Sequence, residues 1–202
     1  MKNALARIYG RFDFIHVARW IGEGERVLDL GCGDGALLLM LQKEKKARGY
    51  GVELEPANVA ACLKNGVNVL QFDLERGLLG FEDDSFDRVI MLLALQTIRH
   101  TVPILKEMLR VGREAVVSFP NFCYRPHREA IAAGRMPVSR HLPYQWFDSP
   151  NVRFFTIADF EALCADEGIA IHERVAFAEG APVTDDPNLN AELALYRLGR
   201  MS

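Results

Sequence analysis

The sequence predicts an α/β fold: a doubly wound, mostly parallel, Rossmann-like sheet of seven strands with an antiparallel strand near the C-terminus. Three observations predict it. From Arg26 onward, short strand-like apolar runs alternate with helix-like segments, and parallel neighbours need such crossover helices. A glycine cluster, Gly31 to Gly35, follows the first of these runs, where a doubly wound sheet turns from strand into helix. Half of the 202 residues are apolar, enough for a sizeable core, and the length suits one domain over residues 1–202.

The elements follow in order. Leu5, Ile8, Phe12, Ile15 and Trp20 recur at close to helical spacing and predict an amphipathic leading helix. "RVLDL", from Arg26, is a strand; Gly31 to Gly35 is a turn; "ALLLMLQKEKKA" is a helix; and "RGYGVEL" is a second strand. Pro56 opens the helix "PANVAACLKN", before the strand "VNVLQF" and the loop "DLERGLLGFEDDS". The strand "FDRVIMLL", the helix "VPILKEMLRV" and the strand "EAVVSF" complete the alternation. Residues 120–150 hold five of the nine prolines and read as an insertion with one short helix. Thr156 then starts a helix with Asp159 three residues on, a capping-box arrangement, and "IAIHERVAF" and "AELALYRLG" close the sheet. The tail after Gly180 reads as a mobile loop before the last strand.

Charge and cysteine content exclude several classes. A formal charge of -3 supplies no global basic face for nucleic acid. The four cysteines stand far apart, without metal-ligand spacing, and suit reduced thiols. The first residues form neither a signal-peptide core nor a membrane span, so a cytoplasmic protein with no membrane partner is expected.

The chemistry concentrates at strand ends, where open α/β sheets bind ligands. Gly31, Gly33 and Ala36 satisfy G-x-G-x-x-G/A, so a dinucleotide site is one reading. Asp29 argues against it, because an anion beside a pyrophosphate repels it while an anion beside an ammonium or sulfonium attracts it. Glu53, twenty residues after Gly33, ends the second strand, where an acid accepts bonds from ribose hydroxyls. Asp73 ends the third, placed to accept from an exocyclic amine. Amine, ribose and adenine together describe S-adenosylmethionine. Each acid also has a plainer reading, Asp29 and Asp73 as turn caps and Glu53 as a solvated strand end.

In order, Asp29-x-Gly31-x-Gly33, Glu53, Asp73 and "FDRVI" resemble the motifs of class I S-adenosylmethionine-dependent methyltransferases, over about Arg26 to Phe119. The resemblance implies a methyltransferase-type sheet binding S-adenosylmethionine or S-adenosylhomocysteine. It places Asp29, Gly31, Cys32 and Gly33 at the methionine end, Glu53 and Leu54 at the ribose, Asp73 and Leu74 at the adenine, and Met91 on the fourth strand. No Asn-Pro-Pro-aromatic loop and no Pro-Cys pair follow, which argues against nucleic-acid methylation. Cys32 reads as a small turn residue, since no base accompanies it. His100, just after the fourth strand, is the one candidate general base, while His16 and His172 read as surface or core groups.

"VSFPNF" and "GRMPVSRHLPYQWFDSPNVRFFTIADFEALC" resemble methionine biosynthesis proteins of the MetW family, so the likeness extends to about Phe177. That resemblance implies a partner or regulator of the homoserine O-acyltransferase MetX, with a small-molecule methyltransferase as the alternative. Leu92-Leu93-Ala94 stand where that family suggests polar residues, so ligand contact there falls to backbone or apolar surface. Arg125, Arg128, Arg135 and Arg140 face only Glu129, which suggests either a solvated face or docking to an acidic partner. Tyr144 and Trp146 are then interface anchors or core pins. A homodimer stays open.

Overall fold

The computed structural model describes residues 11–201. They divide into two compact units, residues 11–92 with 100–116 and residues 93–99 with 117–201.

The first unit starts with helix α1 (Phe12–Trp20), whose Asp13 and Arg19 sit at the helix ends that favour their charges. Its buried face is Phe14, Val17 and Ala18, not the expected stripe, of which Phe12 and Ile15 are exposed and Trp20 is half-buried; Leu5 and Ile8 of the expected longer helix lie outside the described residues. Strand β1 (Arg26–Leu30), helix α2 (Ala36–Lys45), strand β2 (Arg48–Glu53), helix α3 (Pro56–Lys64) and strand β3 (Asn68–Gln71) follow as two β-α-β crossovers. Both strand pairs are parallel, with Leu30 opposite Val52 and Glu53 opposite Gln71. Strand β4 (Phe86–Leu92) lies on the other side of β1, also parallel. Helix α4 (Thr101–Val111) leads into strand β5 (Gly112–Pro120). Val27, Leu28 and Leu30 of β1 are fully buried, the run of apolar residues a strand covered on both faces needs. Each contributes on the order of 1.5–3 kcal/mol. Between β2 and β4 the chain leaves β1 in opposite directions, which opens a crevice at the carboxyl end of β1.

The second unit contains the end of β5, helix α5 (Arg125–Ala132), helix α6 (Ile157–Asp166), strand β6 (Ile169–Ala178), strand β7 (Ala181–Pro182), helix α7 (Pro187–Asn190) and strand β8 (Leu193–Arg200). Strand β6 pairs antiparallel with both β7 and β8. Phe119, Phe160 and Tyr196 pack as the aromatic centre, with Phe119 and Phe160 centroids 4.8 Å apart and Phe160 and Tyr196 also 4.8 Å apart. The buried Tyr196 hydroxyl donates to Glu161 Oε1 at 2.9 Å, which satisfies the one polar atom that ring brings inside. This unit carries no lysine.

The strand order is β3-β2-β1-β4-β5-β8-β6-β7. The expected seven strands, with their antiparallel C-terminal portion, are present, and the two-residue edge strand β7 makes eight. The segment after Gly180 is not a loose loop. Asn121, fully buried, donates through Nδ2 to the carbonyls of Asn188 and Ala191, each at 2.8 Å, and so fastens α7. No helix among the described residues is long and apolar enough to cross a membrane.

Candidate functional site

The carboxyl end of β1 holds the chemistry of the first unit. A cavity of about 190 Å³ opens there, lined by Arg11, Phe14, Asp29, Gly31, Gly33 and Leu92, among others. Pockets that enclose a drug-sized ligand run to roughly 300–1,000 Å³. This one has room for one end of such a ligand.

Asp29 is the unusual group. It is 4 % exposed, between the buried Leu28 and Leu30. Burial pushes its carboxyl up to about 7; the Arg11 guanidinium pulls it back down and the Glu53 carboxylate adds to the rise. A buried acid held near neutrality gains most from a cation brought beside it. Across the same cavity stands Arg11. Its Nε and Nη2 bind the Asp13 carboxylate at 2.8 and 2.6 Å, and its guanidinium lies 4.2 Å from the Phe14 ring centre. A fixed cation and a buried acid lining one small cavity match the carboxylate and ammonium of an amino acid.

The glycine turn is shaped by its neighbours. The N–H groups of Gly31 and Cys32 both donate to the Val52 carbonyl, at 2.8 and 3.2 Å, hanging the turn on the end of β2. Gly33 and Gly35 have φ of +56° and +78°, conformations that L side chains rarely adopt. A Cβ on Gly35 would lie 2.9 Å from Val67 Cγ2, so that position is closed by packing as well. Glu53 accepts from Gly33 N–H at 2.8 Å through Oε2, and from Leu54 and Glu55 N–H at 2.9 and 3.0 Å through Oε1. Glu53 is thus a brace between β2 and the turn, with three of about four acceptor positions used. One is left for a hydroxyl donor.

Asp34 sets the charge at the start of α2. Its Oδ1 accepts from Ala36 N–H at 3.2 Å, at the start of α2. In a dinucleotide turn that helix start receives the pyrophosphate. Here a carboxylate occupies it, and Asp29 lies close by; both repel phosphate.

The other sequence candidates are placed as follows. Gly31, Cys32 and Gly33 line the cavity with Asp29. Leu54 is exposed beside Glu53, next along the carboxyl edge. Asp73 ends the β3 connection, and its Oδ1 accepts from Glu75 N–H at 3.0 Å, so it caps the short turn Leu74–Arg76 that carries Leu74. Neighbouring strands stand about 4.8 Å apart, so the acids following β1, β2 and β3 are spread along one edge. Met91 is fully buried, and the β4 residue that reaches the cavity is its neighbour Leu92. The expected apolar contact at that rim therefore comes from Leu92. His100 is 63 % exposed, with Nδ1 3.3 Å from Glu75 Oε2, and does not line the cavity.

Cys32 and Cys62 lie with Sγ atoms 3.8 Å apart, and Cys62 donates to the Gly33 carbonyl at 3.1 Å. Burial, foremost, holds both thiols above their ordinary range, and the nearby Asp29 carboxylate pushes Cys32 further. They are protonated packing groups beneath the turn. Among the described residues no cluster of His, Cys, Asp and Glu is arranged to hold a metal. Sequence reasoning missed Arg11 and Phe14. The sole signal was Arg11-x-Asp13 at the start of α1, which reads as an ordinary surface pair until Asp13 is seen at 2 % exposure.

Comparison with known proteins adds the relationships. The model of the family described as "Methionine biosynthesis protein MetW" matches residues 11–198. A bifunctional methionine biosynthesis protein MetXA/MetW of Rhodopirellula baltica is 39% identical over 194 residues, which cover 89% of this chain and 31% of that protein. The chain spans less than half the length of the curated relatives it matches. Among solved structures, the putative methyltransferase of Haloferax volcanii in complex with the Trm112 methyltransferase activator superposes with a TM-score of 0.71 at 19% identity, covering 96% of this chain and 91% of that one. Magnesium protoporphyrin IX methyltransferase of Synechocystis, with bound SAH, gives 0.68 at 18% identity, covering 95% of this chain and 84% of that one. At those identities the likeness establishes the fold, a methyltransferase-type α/β sheet.

Proposed function

Because the chain belongs to the MetW family of methionine biosynthesis proteins, we propose that it binds S-adenosylmethionine or S-adenosylhomocysteine and acts on homoserine acylation as a partner or regulator of a MetX-type homoserine O-acyltransferase. One observation carries the ligand: a buried carboxyl, Asp29, and a cation, Arg11, line a single cavity of amino-acid size at the end of β1. Asp29 would hold the ammonium and Arg11 the carboxylate of the ligand. Glu53 offers its remaining acceptor position to a ribose hydroxyl, with Leu54 alongside, while Asp73 and Leu74 frame the adenine. The R. baltica relative, whose name joins MetXA with MetW, supports the partner. A complex in the cytoplasm suits the reduced cysteines.

When bound, S-adenosylmethionine supplies a methyl group activated by a sulfonium. The chain's own residues bind and orient it. Cys32 is a buried thiol beside Asp29, and His100 lies outside the cavity, beside Glu75. In the family's pathway the ligand lies downstream of methionine, so its binding reports product level through coupled affinities.

Calorimetric titration tests the ligand. S-adenosylhomocysteine is expected to bind the wild type, NAD to give no heat, and Asp29→Ala to lose at least tenfold in affinity. Mixing tests the role: homoserine acylation is expected to change when this chain is added to its acyltransferase, and to respond to S-adenosylmethionine. The second reading, a small-molecule methyltransferase, is favoured by the solved structures of this fold. It gains if S-adenosylmethionine is consumed with an added acceptor and the acyltransferase is indifferent to the chain.

A further inference from the structure

The second unit exposes an apolar face on the irregular stretch between α5 and α6. Trp146 and Phe147 are 75 % and 70 % exposed and stand edge to face, with ring centres 5.6 Å apart. Met136, Val138, Tyr144 and Phe154 are exposed around them. Two cavities, of about 570 and 340 Å³, share Met136, Gln145 and Trp146, so the indole forms the wall between two hollows. Tyr144 and Trp146 are therefore not core pins. A large ring left in water costs on the order of 1.5–3 kcal/mol relative to its burial, and adjacent exposed rings mark a contact surface.

The charge of the segment that carries this face narrows the partner, and Arg135 lines the same hollow as Trp146. Residues 121–154 contain five arginines, Arg125, Arg128, Arg135, Arg140 and Arg153, against Glu129 and Asp148, and no lysine. Arginine, tryptophan, tyrosine and methionine are enriched at protein interfaces, while lysine is depleted. A second copy of this chain, docked through a two-fold axis, would set the same arginines against one another. A partner whose rim is acidic meets no such repulsion.

We propose that this face, centred on Trp146 and Phe147, docks the homoserine O-acyltransferase, which presents an apolar patch with an acidic rim. The assignment rests on the partner reading given above. Trp146 acts as the anchor, filling a pocket on the acyltransferase, and the arginines set the approach and its salt dependence.

Sedimentation of the full chain with the acyltransferase from the same organism reads the complex, for the wild type, Trp146→Ala, Phe147→Ala and the double variant Arg128→Glu/Arg135→Glu. Trp146→Ala is expected to weaken binding at least tenfold. The double variant is expected to weaken it and flatten its salt dependence. All are expected to keep the wild-type melting temperature and affinity for S-adenosylhomocysteine, since the substituted side chains are exposed. If the wild type itself does not bind the acyltransferase, the partner reading fails and this surface with it. If the wild type binds and the variants bind as tightly, the partner reading stands and the surface is wrong. Should Trp146→Ala instead abolish self-association of the chain, or its binding to phosphatidylglycerol vesicles, and leave the acyltransferase complex intact, the face belongs to a second copy or to lipid and the proposal is overturned.

Discussion

Asp29 holds a proton in the folded protein that the unfolded chain releases above its usual value near 3.8, since burial pushes the folded value up to about 7. The folded state therefore binds more protons between these values, and its stability falls as pH rises from about 4 to 7, with the full penalty above 7. That penalty is on the order of 4 kcal/mol at most. Asp29→Asn removes it, so the variant is expected to resist urea better than the wild type at pH 8 and to lose that advantage at pH 4. Parallel melts at both pH values would show that the carboxyl is solvated. Ligand affinity should weaken below pH 7, where more of the carboxyl is neutral; titrations at pH 6 and 7.5 check this. Asp29 was legible as an unusual group because an acid interrupts a run of apolar strand residues, although a turn cap was its plainer reading. Arg11 was not, since a cation before a helix looks solvated, and only the fold reveals that its partner Asp13 is buried.

Among the elements, the helix at Ile157 was readable to its first residue. Thr156 accepts from Asp159 N–H at 3.1 Å and Asp159 accepts in return from Thr156 N–H at 3.0 Å, a local exchange that a spacing of three residues specifies. Asn121 escaped for the opposite reason. Its side chain also accepts from the N–H groups of Cys123 and Ile157, at 3.1 and 3.4 Å, joining positions up to 70 residues apart that no periodicity connects. Asn121→Ala leaves several buried backbone groups unpaired and is expected to cost about 2–4 kcal/mol, read as a lower urea midpoint with an unchanged slope. In the glycine turn, Gly35→Ala combines a positive φ with a collision against Val67 and is expected to cost on the order of 2–3 kcal/mol. Gly33→Ala meets no atom within 4 Å and is expected to cost less, about 1–2 kcal/mol. The two-residue strand β7 lies below the length at which alternation carries any signal.

At the scale of the whole molecule, alternation of strands and helices was enough for the α/β class and the parallel order, because crossover connections leave few topologies open. What alternation cannot encode is which loops face water: the sequence leaves Tyr144 and Trp146 open between core and surface, and the fold exposes both. A ligand that binds only the folded chain stabilises it by about 2.7 kcal/mol at a hundredfold excess over its Kd. For a chain of this length that is a rise of about 5–10 °C. S-adenosylhomocysteine is expected to give such a rise with the wild type and, at the same concentration, about half of it or less with Asp29→Ala in a thermal scan.

The absence of lysine from the second unit has a practical side. The lysines among the described residues, Lys43, Lys45, Lys46, Lys64 and Lys106, all belong to the first unit. Reagents that seek side-chain amines, whether dyes, biotin esters or activated sensor surfaces, have no lysine to take on the face around Trp146. Coupling through lysine leaves that face chemically untouched, whereas lysine acetylation would erase charge from the first unit alone.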